Sequence, residues 1–242
     1  MADPPLLVVR GLSKRFGGLV ANNAIDLELA PAGIHAVIGP NGAGKTTLVA
    51  QLCGELAPDA GSVHFAGEDI TAWKPHRRAR AGLARSFQVT SVMPSLTVWE
   101  NAALAASAGR ARSLWRPPAE SRAARAALER VGLGGRANVP AYSLSHGEHR
   151  QLELAMAIAP RPRLLLLDEP SAGNGEEEAK RITELVRQMG KDHAVLLVEH
   201  DMDMVFAVAD RITVLAQGSC IASGTPGEIR DNAAVRRAYL GE

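Results

Sequence analysis

Aromatic residues make up only 4% of this 242-residue chain, against a hydrophobic share of 46%. Its core must therefore be aliphatic, built from Leu, Val, Ile and Ala. Cysteine is scarcer still. Cys53 and Cys220 stand far apart with no metal-ligand spacing, so the expectation is two reduced, packed thiols in a cytosolic protein. No stretch approaches the roughly 20 apolar residues that span a bilayer. The opening MADPPLLVVRG has neither the basic lead nor the long apolar segment of a secretion signal. What remains is enough chain for one α/β domain of ordinary size with a smaller appendage.

The net charge is only +1, but it is unevenly spread. Between Lys74 and Arg136 twelve basic residues face three acids, and the rest of the chain is correspondingly acidic. Such a segment suits anionic lipid headgroups or nucleic acid, and equally an arginine-rich solvated helical surface. It carries neither interleaved aromatics nor a nucleic-acid motif, so no nucleic-acid partner is expected.

Residues 39–47 read GPNGAGKTT, after the apolar run Ile34-His35-Ala36-Val37-Ile38 and before Leu48-Val49-Ala50. This is the G-x-x-x-x-G-K-[ST] pattern in a strand–loop–helix setting. Gly39, Pro40, Asn41, Gly42, Ala43 and Gly44 supply a loop whose backbone N–H groups can turn inward on a polyphosphate. The helix opening at Lys45, Thr46 and Thr47 adds the positive end of its dipole. Lys45 is placed to reach the β- and γ-phosphates of a nucleoside triphosphate, and the Thr46 hydroxyl to ligate Mg²⁺.

Around this loop the first part of the chain is predicted to be strand-rich, with strands over Leu6–Arg10, Ile25–Leu29, Ile34–Ile38 and Ser62–Phe65. From about residue 90 to 160 the pattern turns helical. Thr97-x-x-Glu100 is a capping box opening a helix that fades by Gly109, and an alanine-rich helix after Pro117-Pro118 carries Ala124, Leu128 and Val131 and closes at Gly132. The last third alternates again. Leu164–Leu167, without polar alternation, suits a parallel strand buried on both faces. Ala194–Val198 reads the same way and Ile212–Leu215 is a shorter strand, with helices over Glu176–Met189 and Met202–Ala209. The expected arrangement is a core of about 1–89 and 161–242 interrupted by a helical subdomain of about 90–160.

Asp168 and Glu169 follow the leucine run directly. Two carboxylates at the end of a buried strand are costly unless they have work or partners there. In phosphoryl-transfer sites such an Asp holds Mg²⁺ and a neighbouring carboxylate can polarise the attacking water. A helix N-cap is the other reading of Asp168, weakened by Pro170 and the preceding strand.

The segment Leu144-Ser145-His146-Gly147-Glu148, running into HRQLELAMAIA, resembles the signature of the ATP-binding cassette (ABC) superfamily, usually LSGGQ ahead of a helix. It departs at His146 and Glu148. Ser145-x-x-Glu148 is also an ordinary capping box, and both readings hold together because a capped helix start is itself an anion site. The resemblance runs from Phe16 to the C-terminal stretch. It implies a P-loop ATPase of α/β class with an antiparallel β subdomain and an inserted helical subdomain. It further implies that Gln88 is the Q-loop glutamine near Mg²⁺ or the reacting water, that His200 is the switch histidine on the γ-phosphate, and that Phe16 stacks on adenine. Phe16 is otherwise a hydrophobe at a strand end. Residues 171–175, SAGNG, sit where the D-loop belongs but lack its usual Leu-Asp pair, so no contact is assigned there.

The family pairs two cassettes, with Ser145, Gly147 and Glu148 acting on ATP held by a second ABC subunit. RFGGLVANN, ARSFQ, LSHGEHRQLELAMAIA, the AGxG of the D-loop, EHDMDMVF and the ending AYLGE resemble the branched-chain amino-acid importer group, with urea and amide importers close by. No long regulatory domain is expected after residue 242, in keeping with that group. The implied partners are membrane permeases and, indirectly, a periplasmic or extracellular binding protein. The implied place is peripheral, on the cytoplasmic face of the plasma membrane. A soluble repair or translation ABC ATPase is the rival class. Against it stand the single cassette and a Lys45–Ser145 interval too short for a long coiled coil. A GTPase is disfavoured by the lack of an N-K-x-D motif.

Overall fold

Apolar residues at every second position open the chain, and they form one face of an antiparallel sheet. The computed structural model describes residues 4–85, 92–107, 122–173 and 175–240. Strand β1 (Leu7–Phe16) pairs with β2 (Leu19–Leu29) from Leu7↔Leu29 to Phe16↔Leu19. Leu7 and Val9 point inward, the register shifts at Gly11, and Leu12 takes up the inward row. The shift is a bulge, with Gly11 at φ 55°. After β3 (Gly33–Ile38) and helix α1 (Lys45–Cys53), strands β4 (Ala60–Phe65) and β5 (Glu68–Asp69) complete this sheet in the order β2-β1-β4-β5.

Helix α2 (Pro75–Ala81) and strand β6 (Leu83–Arg85) lead to three helices, α3 (Val98–Ser107), α4 (Arg122–Arg130) and α5 (His146–Ile158). The expected Thr97–Glu100 box is formed, with Glu100 N–H donating to Thr97 Oγ1 at 3.1 Å and Thr97 N–H to Glu100 Oε2 at 2.7 Å. Ala124, Ala127, Leu128 and Val131 are buried, and Gly132 at φ 81° lets the chain turn after α4.

The remaining elements build a second sheet: β7 (Leu164–Asp168), α6 (Glu176–Gly190), β8 (Ala194–Val198), α7 (Met202–Val208), β9 (Arg211–Ala216), β10 (Ser219–Gly224), α8 (Pro226–Asp231) and α9 (Ala233–Leu240). Its order is β10-β9-β3-β8-β7-β6, parallel except for β10. Every residue of β7 and β8 is buried. Leu164 and Leu166 enter a core shared with α1 and the antiparallel sheet, while Leu165 and Leu167 enter one shared with α5, α6 and α7. The four leucines thus serve two cores, each burial stabilising by roughly 1.5–3 kcal/mol.

Several elements have no clear sequence signal. Helix α2, PHRRARA, lacks an apolar stripe because its inward residue is Arg78, which is 1% exposed. Its guanidinium donates to the carbonyls of Gln51 and Leu52 at the end of α1, and to those of Trp73 and Thr71. A cation there complements the helix dipole of α1 and fills its free carbonyls. Both cysteines are free thiols; Cys53 is packed as expected, whereas Cys220 is exposed on the edge strand β10. Among the described residues no helix is long and apolar enough to cross a membrane.

Candidate active site

Parallel strands in an open α/β sheet present their loops at one edge, where Lys45, Asp168, Glu169 and His200 lie. β3 delivers residues 39–44, after which Gly44, at φ 101°, caps α1. A Cβ on Gly44 would overlap the Ala21 carbonyl of β2, and one on Gly39 would overlap the Leu215 carbonyl of β9. Both positions need glycine because backbone from a neighbouring strand fills the space. The loop is braced further by the β9–β10 turn, where Gly218 N–H donates to the Ala43 carbonyl at 3.2 Å. Gly42, Pro40, Asn41 and Thr46 lie toward the open side, with Thr47 half-buried.

Lys45 is 8% exposed, and its Nζ donates to the carbonyls of Gly39 at 2.7 Å and Pro40 at 3.2 Å. Burial lowers its pKa, while the nearby carboxylates of Glu169 and Asp168 act the other way. Asp168 ends β7 and is 2% exposed. Burial pushes its carboxyl above the usual range, against the pull of Arg85, whose Nη2 stands 3.1 Å from Asp168 Oδ2. Arg85 also meets Glu55 at 2.6 Å.

Glu169 takes up φ 48°, a left-handed conformation that costs a non-glycine residue about 1–3 kcal/mol. Three bonds hold it there: its N–H donates to Val198 O at 2.8 Å, and its carbonyl accepts from Ala172 N–H at 3.2 Å and from Arg150 Nη2 at 2.7 Å. Arg150 belongs to α5. Its Nε reaches the Pro170 carbonyl and its Nη1 pairs with Glu153 at 2.7 Å. Beside Glu169, His200 places Nδ1 3.6 Å from Glu169 Oε1. These two side chains leave the tips of adjacent strands, β7 and β8.

Ser145 is the N-cap of α5. Glu148 N–H donates to its hydroxyl at 3.3 Å, and Ser145 N–H donates to Glu148 Oε2 at 2.9 Å. The N–H of Ser145 holds the Glu148 carboxyl below its ordinary pKa, and Arg136 stands 3.2 Å away. A Cβ on Gly147 would sit 2.5 Å from Glu178 Oε1 of α6, so the Glu178 side chain would have to shift. The departures from the usual signature and D-loop meet in space: a Cβ built on Gly173 would stand 3.7 Å from His146 Nε2. Phe16 lies at the end of β1, half exposed, with Lys14 Nζ 5.8 Å from its ring centre. Gln88 lies outside the described residues.

Thr46 and Asp168 offer hard oxygen donors at one edge of the site, the donor chemistry that Mg²⁺ takes. Among the described residues no group of three or more His, Cys, Asp or Glu side chains could hold a metal by itself. That donor set fits an ion shared with phosphate oxygens, which keeps one or two protein ligands.

Three residues of this edge lie in segments quoted for the family resemblance but receive no role from the sequence: Arg85, Arg150 and Glu199. Glu199 had one available cue, a lone carboxylate following an apolar strand, the same pattern that draws attention to Asp168 and Glu169.

Comparison with known proteins gives a consistent picture. A family model described as ABC transporter matches residues 22–172, and one described as Branched-chain amino acid ATP-binding cassette transporter matches residues 219–242. The chain is 41% identical to the high-affinity branched-chain amino acid transport ATP-binding protein LivG of Escherichia coli K12, covering 98% of each chain. It is 40% identical to BraF, the protein of the same description from Pseudomonas aeruginosa, again over 98% of each. Among solved structures, an ATP-binding cassette of an ABC transporter in its ADP conformation superposes with a TM-score of 0.88 at 27% identity, covering 99% of this chain and all of the other.

Proposed function

Because the chain belongs to the ABC transporter family of ATP-binding proteins, we propose that it is the ATP-hydrolysing subunit of an importer for branched-chain amino acids. The observation that carries the enzymatic part is the meeting of Lys45, Asp168, Glu169 and His200 at one sheet edge, with Glu169 3.6 Å from His200. The transport part rests on similarity across 98% of the chain to LivG and BraF.

In this reading ATP lies along residues 39–47, and Phe16 stacks on its adenine. Lys45 exchanges the Gly39 and Pro40 carbonyls for phosphate oxygens. Thr46, Asp168 and Gln88 would hold Mg²⁺, which would supply charge neutralisation to the phosphates of ATP. Glu169 accepts a proton from the attacking water, worth about 10²–10⁴ in rate. His200 donates to the γ-phosphate and holds it in line. Ser145, Gly147 and Glu148 offer the start of α5 to the nucleotide of a second ABC ATPase subunit, so that ATP joins the pair and hydrolysis parts it. The segment of about 90–160 is the helical subdomain that bears the signature. The complex sits peripherally on the cytoplasmic face of the plasma membrane, against permeases supplied by an external binding protein.

The test is reconstitution with the permeases and binding protein in vesicles, with ATP inside. Leucine uptake should require ATP, and Glu169→Gln should stop uptake while trapping an ATP-bound dimer. Uptake of urea or an amide in place of leucine would reassign the substrate. Co-purification with ribosomes or DNA and no permease would move the chain to the non-transport class.

A further inference from the structure

We propose that Glu199 is a positioning residue for ATP hydrolysis, locking the segment after Glu169 to the switch histidine so that the two move as one unit. The inference rests on the roles given above to Glu169 and His200.

Glu199 is 0% exposed. A carboxylate so removed from water costs several kcal/mol unless donors surround it. Oε1 accepts from Ser171 N–H at 2.9 Å and from Ser171 Oγ–H at 2.6 Å. Oε2 accepts from His200 N–H at 3.0 Å and from Asp201 N–H at 3.4 Å. One oxygen thus holds the segment that follows β7 and the other holds the segment that follows β8. His200 Nδ1 also stands 3.8 Å from Glu199 Oε2, so the imidazole lies between this carboxylate and that of Glu169.

Three of the four donors are backbone N–H groups, and they cannot reverse direction. A glutamine in this place must turn its NH₂ toward Ser171 N–H or toward the N–H groups of His200 and Asp201. Either orientation sets donor against donor and loosens one segment. Ser171 opens residues 171–175, which stand where the family has its D-loop. Displacement of Ser171 therefore pulls on the His200 backbone through one carboxylate. Misplacement by about 1 Å costs on the order of 100-fold in rate when the geometry of a reacting group is at stake.

The test measures kcat and KM for Mg-ATP hydrolysis by the full chain, in Glu199→Gln, Ser171→Ala and the double variant. Glu199→Gln should lower kcat by about 10- to 100-fold with KM within about two-fold, because the phosphate loop is untouched. Ser171→Ala, which removes only the hydroxyl donor, should lose about 3- to 10-fold. The double variant should be no slower than Glu199→Gln, since both substitutions break one linkage. Parent-like kcat in either single variant, losses that multiply in the double, or a loss expressed in KM would overturn the proposal. If Glu199→Gln fails to fold, Ser171→Ala decides alone: reduced kcat at constant KM supports the linkage, and parent kcat ends it. His200→Ala and Glu169→Gln separate the two layers. Should both hydrolyse ATP like the parent, the underlying assignment is wrong. Should both fail while Glu199→Gln keeps parent turnover, only the role of Glu199 falls.

Discussion

Gly44 and Gly42 are both glycines of the phosphate loop with positive φ, 101° and 78°, yet their surroundings differ. A side chain on Gly42 meets nothing within 4 Å, whereas one on Gly44 runs into the Ala21 carbonyl. Alanine at either site pays the left-handed penalty of roughly 1–2 kcal/mol. Only Gly44→Ala adds a backbone collision, so thermal unfolding of the chain without nucleotide should show a clearly larger fall in Tm for Gly44→Ala than for Gly42→Ala. Equal shifts would mean that β2 does not press on the loop. The need for glycine was legible in the motif; the reason, a neighbouring strand, was not. The same holds for Asp168, whose position after an apolar run singles it out as a candidate, while its partner Arg85 lies 83 residues away in sequence, in a segment quoted for its glutamine. Glu199 and Arg150 stayed hidden for the same physical cause: their importance lies in which backbone groups face them.

At the scale of elements, the apolar strands β3, β7 and β8 were readable because burial on both faces leaves no polar alternation. Helix α2 was not, since its inward residue is an arginine satisfied by four carbonyls. Strand β10, SCIASG, shows too little hydrophobicity to stand out and forms because β9 offers it an edge. Within β3 one polar residue is buried: His35, whose Nε2 is 2.8 Å from Thr213 Oγ1 of β9. Burial first, and Arg211 second, depress its pKa from 6.5 to about 4. In the unfolded chain this imidazole takes a proton below pH 6.5, while in the fold it stays neutral to about pH 4. The unfolded state thus binds more protons across that window, and stability falls as the pH is lowered through it, by about 3 kcal/mol in total. Denaturant titrations at pH 7 and pH 4.5 should show this loss in the parent. The difference should shrink in His35→Gln, and an unchanged pH dependence would remove His35 as its source.

Across the whole molecule, α5 links the Ser145 segment to the sheet edge that carries Glu169. Its first residues carry the capping box at Ser145, and one turn later Arg150 grips the carbonyls of Glu169 and Pro170. The placement of Glu169 at φ 48° therefore depends on a helix from the inserted segment. Arg150→Ala should lower turnover by about 10-fold and also destabilise the fold by about 3 kcal/mol, because Glu153, 9% exposed, keeps its carboxylate without its partner. Adding Glu153→Gln should restore much of the melting temperature without restoring turnover. Recovery of both together would show that the grip on Glu169 is dispensable. The α/β class and the inserted helices were foreseeable from composition and periodicity, but this cross-link required the two cores to be assembled first.

The hydrogen-bonded register of β7 and β8 pairs Asp168 with Val198, and Glu169 N–H closes the ladder on the Val198 carbonyl. Glu169 and His200 therefore leave the ends of adjacent strands, whose backbones lie about 4.8 Å apart. That length belongs to the peptide backbone and is indifferent to side-chain identity. The sheet thus sets the spacing of the two backbones, while the Arg150 and Glu199 side chains hold the segments that carry Glu169 and His200.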